Sequence, residues 1–102
     1  LKKYNIEYSK EAKEDLIEIK SYIKYNLQES NIAQKLISKI IKEINNLESN
    51  PEIYTIIDDD IIRKLNIRKF IVDNYIIFYR IKDINIQIVR ILYKRRNWID
   101  LL

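Results

Sequence analysis

The sequence predicts an α+β domain of order β-α-α-β-β-β: an N-terminal strand and an antiparallel helical hairpin packed on an antiparallel β-sheet. Three observations predict it. Apolar residues recur at helical spacing twice between residues 10 and 47. The last third holds apolar runs of strand length separated by short polar turns. The only proline, in Asn50-Pro51, falls between these two halves. A chain of 102 residues suits one domain, so residues 1–102 read as a single unit.

Each element has a local reason. Tyr4-Asn5-Ile6-Glu7-Tyr8 alternates apolar and polar residues and predicts a short strand. Ser9 stands where a helix N-cap belongs, with Glu11 and Glu14 in the first turn. Ala12, Leu16, Ile19 and Ile23 then carry the helix to about Asn26. Ser30 or Asn31 caps a second helix, whose stripe is Ala33, Leu36, Ile37, Ile40, Ile41, Ile44 and Leu47. Asn50-Pro51 ends it, because a residue before proline avoids the helical region. The connection from Asn26 to Ser30 is short, so the helices pair antiparallel. Asp58-Asp59-Asp60 reads as a solvated loop, since three consecutive carboxylates do not converge on a metal ion. Leu65–Val72, Tyr75–Ile81 and Ile86–Leu92 are the later strands, with turns at Asp73-Asn74 and Asp83 to Asn85. Both faces of Tyr75–Ile81 are apolar, which predicts a central strand covered on two sides.

Composition removes several chemistries. With no Cys there is no disulfide framework and no thiolate. With no His, the Ser-His-Asp and Cys-His arrangements and the common zinc sites are excluded. With no Gly, neither a P-loop nor a dinucleotide fingerprint is present, and turns needing positive φ fall to Asn or Asp. No metal and no cofactor is expected. No apolar run reaches the ~18 residues of a membrane span, and the first residues do not read as a signal peptide. Cytoplasmic residence is the corresponding expectation. Ile makes up about a quarter of the chain, a bias that blurs pattern reading without carrying function.

Charge is distributed unevenly. Residues 61–102 carry a net +7 and residues 1–60 a net −3. All six arginines lie at or after Arg63. Such asymmetry bears on partners more than on fold. The densest cations, Arg90, Lys94, Arg95 and Arg96, lead to the only Trp, Trp98. They form a candidate target-binding surface, because arginine engages carboxylates and phosphates through paired hydrogen bonds. The alternative is a basic end that serves solubility alone. Arg63-Lys64 and Arg68-Lys69 form a second basic group. Tyr75 and Tyr79 are expected to pack, whereas Tyr93 stands beside the cations at a strand end. Trp98 is expected to anchor the tail to the core.

Four stretches together resemble the ParE/RelE toxin superfamily of bacterial type II toxin–antitoxin modules. Tyr8-Ser9-Lys10-Glu11-Ala12-Lys13-Glu14-Asp15-Leu16 is similar to its strand-to-helix start, and Asn50-Pro51 to its helix end. Asp73-Asn74-Tyr75-Ile76-Ile77-Phe78-Tyr79-Arg80 resembles "GNYLIFYR", with Asp73 in place of Gly. Val89-Arg90-Ile91-Leu92-Tyr93-Lys94-Arg95-Arg96-Asn97-Trp98 resembles "VRILHGRRDW". The resemblance spans nearly the whole chain and lies closer to the ParE-like branch.

The resemblance implies a plasmid-stabilisation type of toxin that arrests growth and is neutralised by a cognate antitoxin. The ParE-like branch implies a non-enzymatic inhibitor of DNA gyrase. The RelE-like alternative is a ribosome-dependent mRNA endoribonuclease, with Arg68, Lys69, Tyr93, Arg95 and Arg96 as its candidate catalytic residues and ribosome and mRNA as partners. That branch carries an Arg just after the Tyr of the third strand, where this chain has Ile76. Many of its members carry a His where Tyr93 stands. A third expectation is a degenerate module that only binds antitoxin. Neither membrane binding nor sequence-specific DNA binding by this chain alone is implied. The surplus apolar surface of Tyr75–Ile81 and Ile86–Leu92 leads to one further expectation, that the antitoxin covers a bare sheet face and part of the hairpin.

Overall fold

The computed structural model describes residues 3–26, 28 and 30–102. It contains β1 (Asn5–Tyr8), α1 (Lys10–Ser21), α2 (Ser30–Asn45), β2 (Arg68–Val72), β3 (Tyr75–Lys82) and β4 (Asn85–Tyr93). The predicted order is therefore present. A wider π-type turn, Tyr22–Asn26, extends α1 to the residue expected from the sequence. Leu27 and Glu29, within the predicted connection, and Leu1 and Lys2 lie outside the described residues.

The strands form one sheet of order β1-β4-β3-β2. The predicted antiparallel sheet is the β2–β3–β4 meander. β1 joins it parallel to β4, with Tyr8 opposite Ile88, so the whole sheet is mixed. The intervening hairpin acts as the long crossover that a parallel pair requires. β2 is shorter than expected. Arg63–Leu65 is a 3₁₀ turn ended by Asn66 at φ 54°. Asp73 at φ 53° and Asp83 at φ 56° take the left-handed positions in the two hairpin turns. Gln28 at φ 54° is a fourth such position that composition did not single out. Each is a conformation that costs a residue with a Cβ roughly 1–2 kcal/mol.

Ser9 connects α1 to the sheet. Its Oγ accepts the Ala12 N–H at 2.9 Å, the expected cap, and donates to the Val89 carbonyl at 2.7 Å. Val89 is the extra residue where Phe78 pairs with Arg90 and Tyr79 with Ile88. The hydroxyl thus satisfies a carbonyl at a β-bulge as well as a helix end.

Both faces of β3 are buried. Ile77 and Tyr79 meet Ala12, Ile19, Ala33, Ile40, Ile44 and Leu47 on the helical side. Ile76 and Phe78 meet Ile57, Ile62, Ile67 and Leu92 on the other side, with Trp98, Ile99 and Leu101 packed against them. The expectation of a bare sheet face for an antitoxin is therefore incorrect. Residues 57–67 and the C-terminal turn already cover it, because their isoleucines and leucines bury apolar area at about 25 cal/mol per Å². Of the predicted α2 stripe, Ile41 is at the margin and exposed.

Tyr79 shows how closely this core is tied to the chain before it. Its ring is fully buried, and its hydroxyl donates to the Pro51 carbonyl at 2.7 Å. Burial pushes its pKa up to about 12. The unfolded chain releases that proton near pH 10 (roughly the free tyrosine value), so the contribution is whole below about pH 10 and is lost as pH rises toward about 12. Tyr79→Phe should lower stability by about 1 kcal/mol at neutral pH. It should also flatten the alkaline loss, as urea melts at neutral and alkaline pH would reveal.

Candidate functional site

Three regions collect the candidate residues. The first is a charged clasp that sequence reading did not find. β1 ends at Tyr8, opposite Ile88, so beyond that point the edge of β4 away from β3 has no strand neighbour. α1 crosses this edge and brings Asp15 to it. The carboxylate, 4% exposed, accepts Arg90 Nε and Nη2 at 2.8 Å each and the Ile91 N–H at 2.9 Å. The last of these is the donor a strand neighbour would have satisfied. Donating to the Asp15 carboxylate pushes the Arg90 pKa up from its already high value. Arg90 Nη1 also donates to the Leu101 carbonyl at 3.3 Å, holding the C-terminal turn. Arg90 is thus bound internally and stands apart from Lys94, Arg95 and Arg96, its neighbours in sequence.

The second region is the exposed tail. Lys94, Arg95 and Arg96 follow β4 and are open to solvent, and none has an ion-pair partner among the described residues. Two backbone bonds shape the turn: Lys94 N–H to Asn74 O at 2.8 Å and Arg96 N–H to Tyr93 O at 3.0 Å. Trp98 is half-buried, with its ring 5.1 Å from that of Phe78. Lys69 Nζ lies 4.9 Å from the Trp98 ring on the same side. The anchoring role expected of Trp98 has this geometry, together with a cation–π contact. By contrast, the three consecutive aspartates are a loop device: Asp58 and Asp60 pair with Arg63, and Asp59 accepts the Ile61 N–H.

The proposed nuclease residues do not share one locus. Strand alternation sends Arg68 and Lys69 to opposite faces of β2. Arg68 Nη1 binds the Tyr54 carbonyl beside Tyr79, whereas Lys69 sits over Trp98. Tyr93 packs edge-on against Tyr75 at 5.8 Å, on the helical side. Arg96 lines the same groove as Tyr93. Ile76 is buried in the tail-side core, 5% exposed.

That groove is the third region, a concave volume of ≈ 780 Å³ between the helical hairpin and the β3–β4 end. Ile19, Ile23 and Leu36 line its apolar part, and Tyr22, Tyr75 and Tyr93 contribute aromatic rings. Burial, then the neighbouring Tyr93 and Tyr22, push the Tyr75 pKa up. Lys39 and Asp73 form an ion pair across the rim at 2.7 Å. Tyr22, Ile32 and Tyr93 remain 53%, 55% and 43% exposed, so large side chains in this groove lack cover. Sequence periodicity gives no sign of this grouping, because Tyr22 belongs to the irregular turn after α1 and Tyr75 and Tyr93 to different strands.

Comparison with known proteins gives consistent results. A family model described as the ParE toxin of the type II toxin–antitoxin system, parDE, matches residues 6–98. No curated protein matches the chain in sequence. A solved structure described as a chromosomal ParDE system from P. aeruginosa superposes with a TM-score of 0.74 at 18% identity. The alignment covers 88% of this chain and 95% of that one. The RelBE2 toxin–antitoxin complex from Mycobacterium tuberculosis superposes with a TM-score of 0.64 at 14% identity, covering 89% of this chain and 98% of that one. Both share this fold. Among the described residues, no helix is long and apolar enough to cross a membrane.

Proposed function

The chain belongs to the ParE toxin family of type II toxin–antitoxin systems, and on that premise we propose that it inhibits DNA gyrase without being an enzyme and is neutralised by a cognate antitoxin seated in the groove. One observation carries the choice of target: the residues an RNA-cleaving site would need are dispersed. Cleavage by 2′-hydroxyl attack requires a base, an acid and a phosphate clamp around one scissile bond. Here Arg68 is bound to a backbone carbonyl on one face, Lys69 covers Trp98 on the other, and Ile76 is buried in the position of the clamp. The exposed and unpaired Lys94, Arg95 and Arg96, beside a half-buried Trp98, support a role in binding the target. Such a surface suits an acidic patch on a large partner. Growth in the cytoplasm, with gyrase as partner, is the setting this reading requires.

The antitoxin part rests on the uncovered side chains of the groove. Apolar groups rimmed by charges mark interaction sites, and a helix in a groove is a common way of filling them. Ile32→Glu should therefore weaken antitoxin binding roughly tenfold or more, about 1.4 kcal/mol, while leaving the melting temperature nearly unchanged because Ile32 is already exposed. Calorimetric titration of the variant with antitoxin checks this.

Expression of the chain alone separates the target readings. Loss of negative supercoiling with intact translation supports gyrase. Cleaved ribosome-bound mRNA would replace this reading with the ribonuclease. Unimpaired growth from a folded, antitoxin-binding chain would leave only the degenerate module.

A further inference from the structure

A second cationic cluster lies on the tail-side face of the sheet, outside both the groove and the tail. Strand alternation places Arg80 and Lys82 on the same side of β3 as Phe78. Arg80 is two residues beyond Phe78, about 7 Å along the strand. Lys64 and Asn66, in the turn before β2, face these residues across a cavity of ≈ 240 Å³. No carboxylate lines that cavity. The contrast with the adjacent Arg63 is informative. Asp58 and Asp60 neutralise Arg63, whereas Lys64, Arg80 and Lys82 have no ion-pair partner among the described residues.

We propose that this cavity binds a phosphate group. Arg80 is half-buried and its Nε donates to Gln87 Oε1 at 2.7 Å, which sets the direction of the guanidinium. The two Nη groups have no protein acceptor among the described residues. They are preorganised for the paired hydrogen bonds that a phosphate accepts. Lys64 and Lys82 add two mobile point charges at the mouth. Three like charges around one concavity repel one another, and an anion between them turns that repulsion into attraction. The several oxygens carried by one phosphorus can accept from all three cations at once, which a single carboxylate does less well. The phosphate is either free or part of a nucleic-acid backbone, and the two sources give different titrations.

The experiment follows the Asn66 amide and the Arg80 Nε–H by NMR in the full chain. The probes are inorganic phosphate and, separately, a short single-stranded DNA of mixed sequence. Saturable shifts of both signals with inorganic phosphate assign the site to a free anion. Shifts with the oligonucleotide alone assign it to a backbone phosphate. The exposed double variant Lys64→Gln/Lys82→Gln should weaken the binding at least tenfold, with Lys42→Gln on α2 as a control of equal chemistry. For the oligonucleotide, the double variant should also reduce the log–log salt slope by up to about 0.7, the value for one single-strand phosphate contact. No shift with either probe, or equal binding by the parent and the double variant, would overturn the proposal.

Discussion

Asp15→Ala should destabilise the protein by about 3–5 kcal/mol, the range for removing one partner of a buried ion pair. The geometry places it there. Asp15 is 4% exposed and accepts three hydrogen bonds, two from Arg90 and one from the Ile91 amide. Alanine would leave a guanidinium and a backbone N–H without acceptors in a site that water does not easily reach. The loss would be a large share of the 5–15 kcal/mol typical of a domain. It would also loosen the C-terminal turn, because Arg90 holds the Leu101 carbonyl only while Asp15 fixes the guanidinium. Asp15→Asn keeps one acceptor oxygen for the Ile91 amide and Arg90 Nε but loses the charge and turns the other oxygen into an NH2 donor facing Arg90 Nη2, so its effect should be smaller than that of alanine only in part, on the order of 1.5–3 kcal/mol. In the double variant Asp15→Leu/Arg90→Met much of the stability should return, since an apolar pair can replace a buried ionic one. Urea unfolding of the four proteins decides the matter. A loss below about 1 kcal/mol in Asp15→Ala would show that the clasp is solvated and unimportant.

The second large effect concerns activity. The triple Lys94→Glu/Arg95→Glu/Arg96→Glu should abolish growth arrest while changing stability by no more than about 0.5 kcal/mol, the usual range for exposed positions. All three side chains are exposed and unpaired among the described residues, so the fold loses no contact with them. Reversing three cations inverts the local field, and a complementary acidic partner is then repelled; like charges facing each other across an interface cost several kcal/mol. Arg96 also lines the groove, so Arg96→Glu is examined alone as well. It should affect antitoxin binding, whereas Lys94→Glu/Arg95→Glu should not. Thermal melting, antitoxin titration and growth assays on each variant separate the two surfaces. A triple variant that folds, binds antitoxin and still arrests growth like the parent removes the tail from consideration. Lys69 would then be the next candidate, because Arg68 is occupied by the Tyr54 carbonyl.

Arg90 illustrates how a residue type suggests the wrong context. In sequence it stands four residues before Lys94 and belongs with the cations. In the fold it faces a carboxylate 75 residues earlier, and an Arg90 variant would lose folding before it revealed anything about a target. Trp98 is intermediate. The sequence placed it as an anchor, and it does pack on Phe78, but its half-exposure and the Lys69 contact leave it accessible to a partner.

The sequence by itself determined the elements whose causes are local. Ser9 caps α1, the i, i+3, i+4 stripe makes α2, and Asn50-Pro51 ends the helical half. Asp73 and Asp83 hold the positive-φ turns of a chain without glycine. Each depends on neighbours within a turn or two, where periodicity and backbone sterics act. The motif blocks likewise identified the family. Only the tertiary structure decided the rest: β1 parallel to β4, residues 57–67 and the tail covering the second sheet face, Asp15 under Arg90, and three tyrosines around one groove. These depend on which surfaces meet after the chain has crossed over. An alternating strand has the same pattern whichever edge it joins, and an aspartate in a first or second helical turn looks solvated until the far end of the chain is laid against it. Burial and charge pairing are properties of such meetings, which is why the clasp and the groove could not be read from the residues alone.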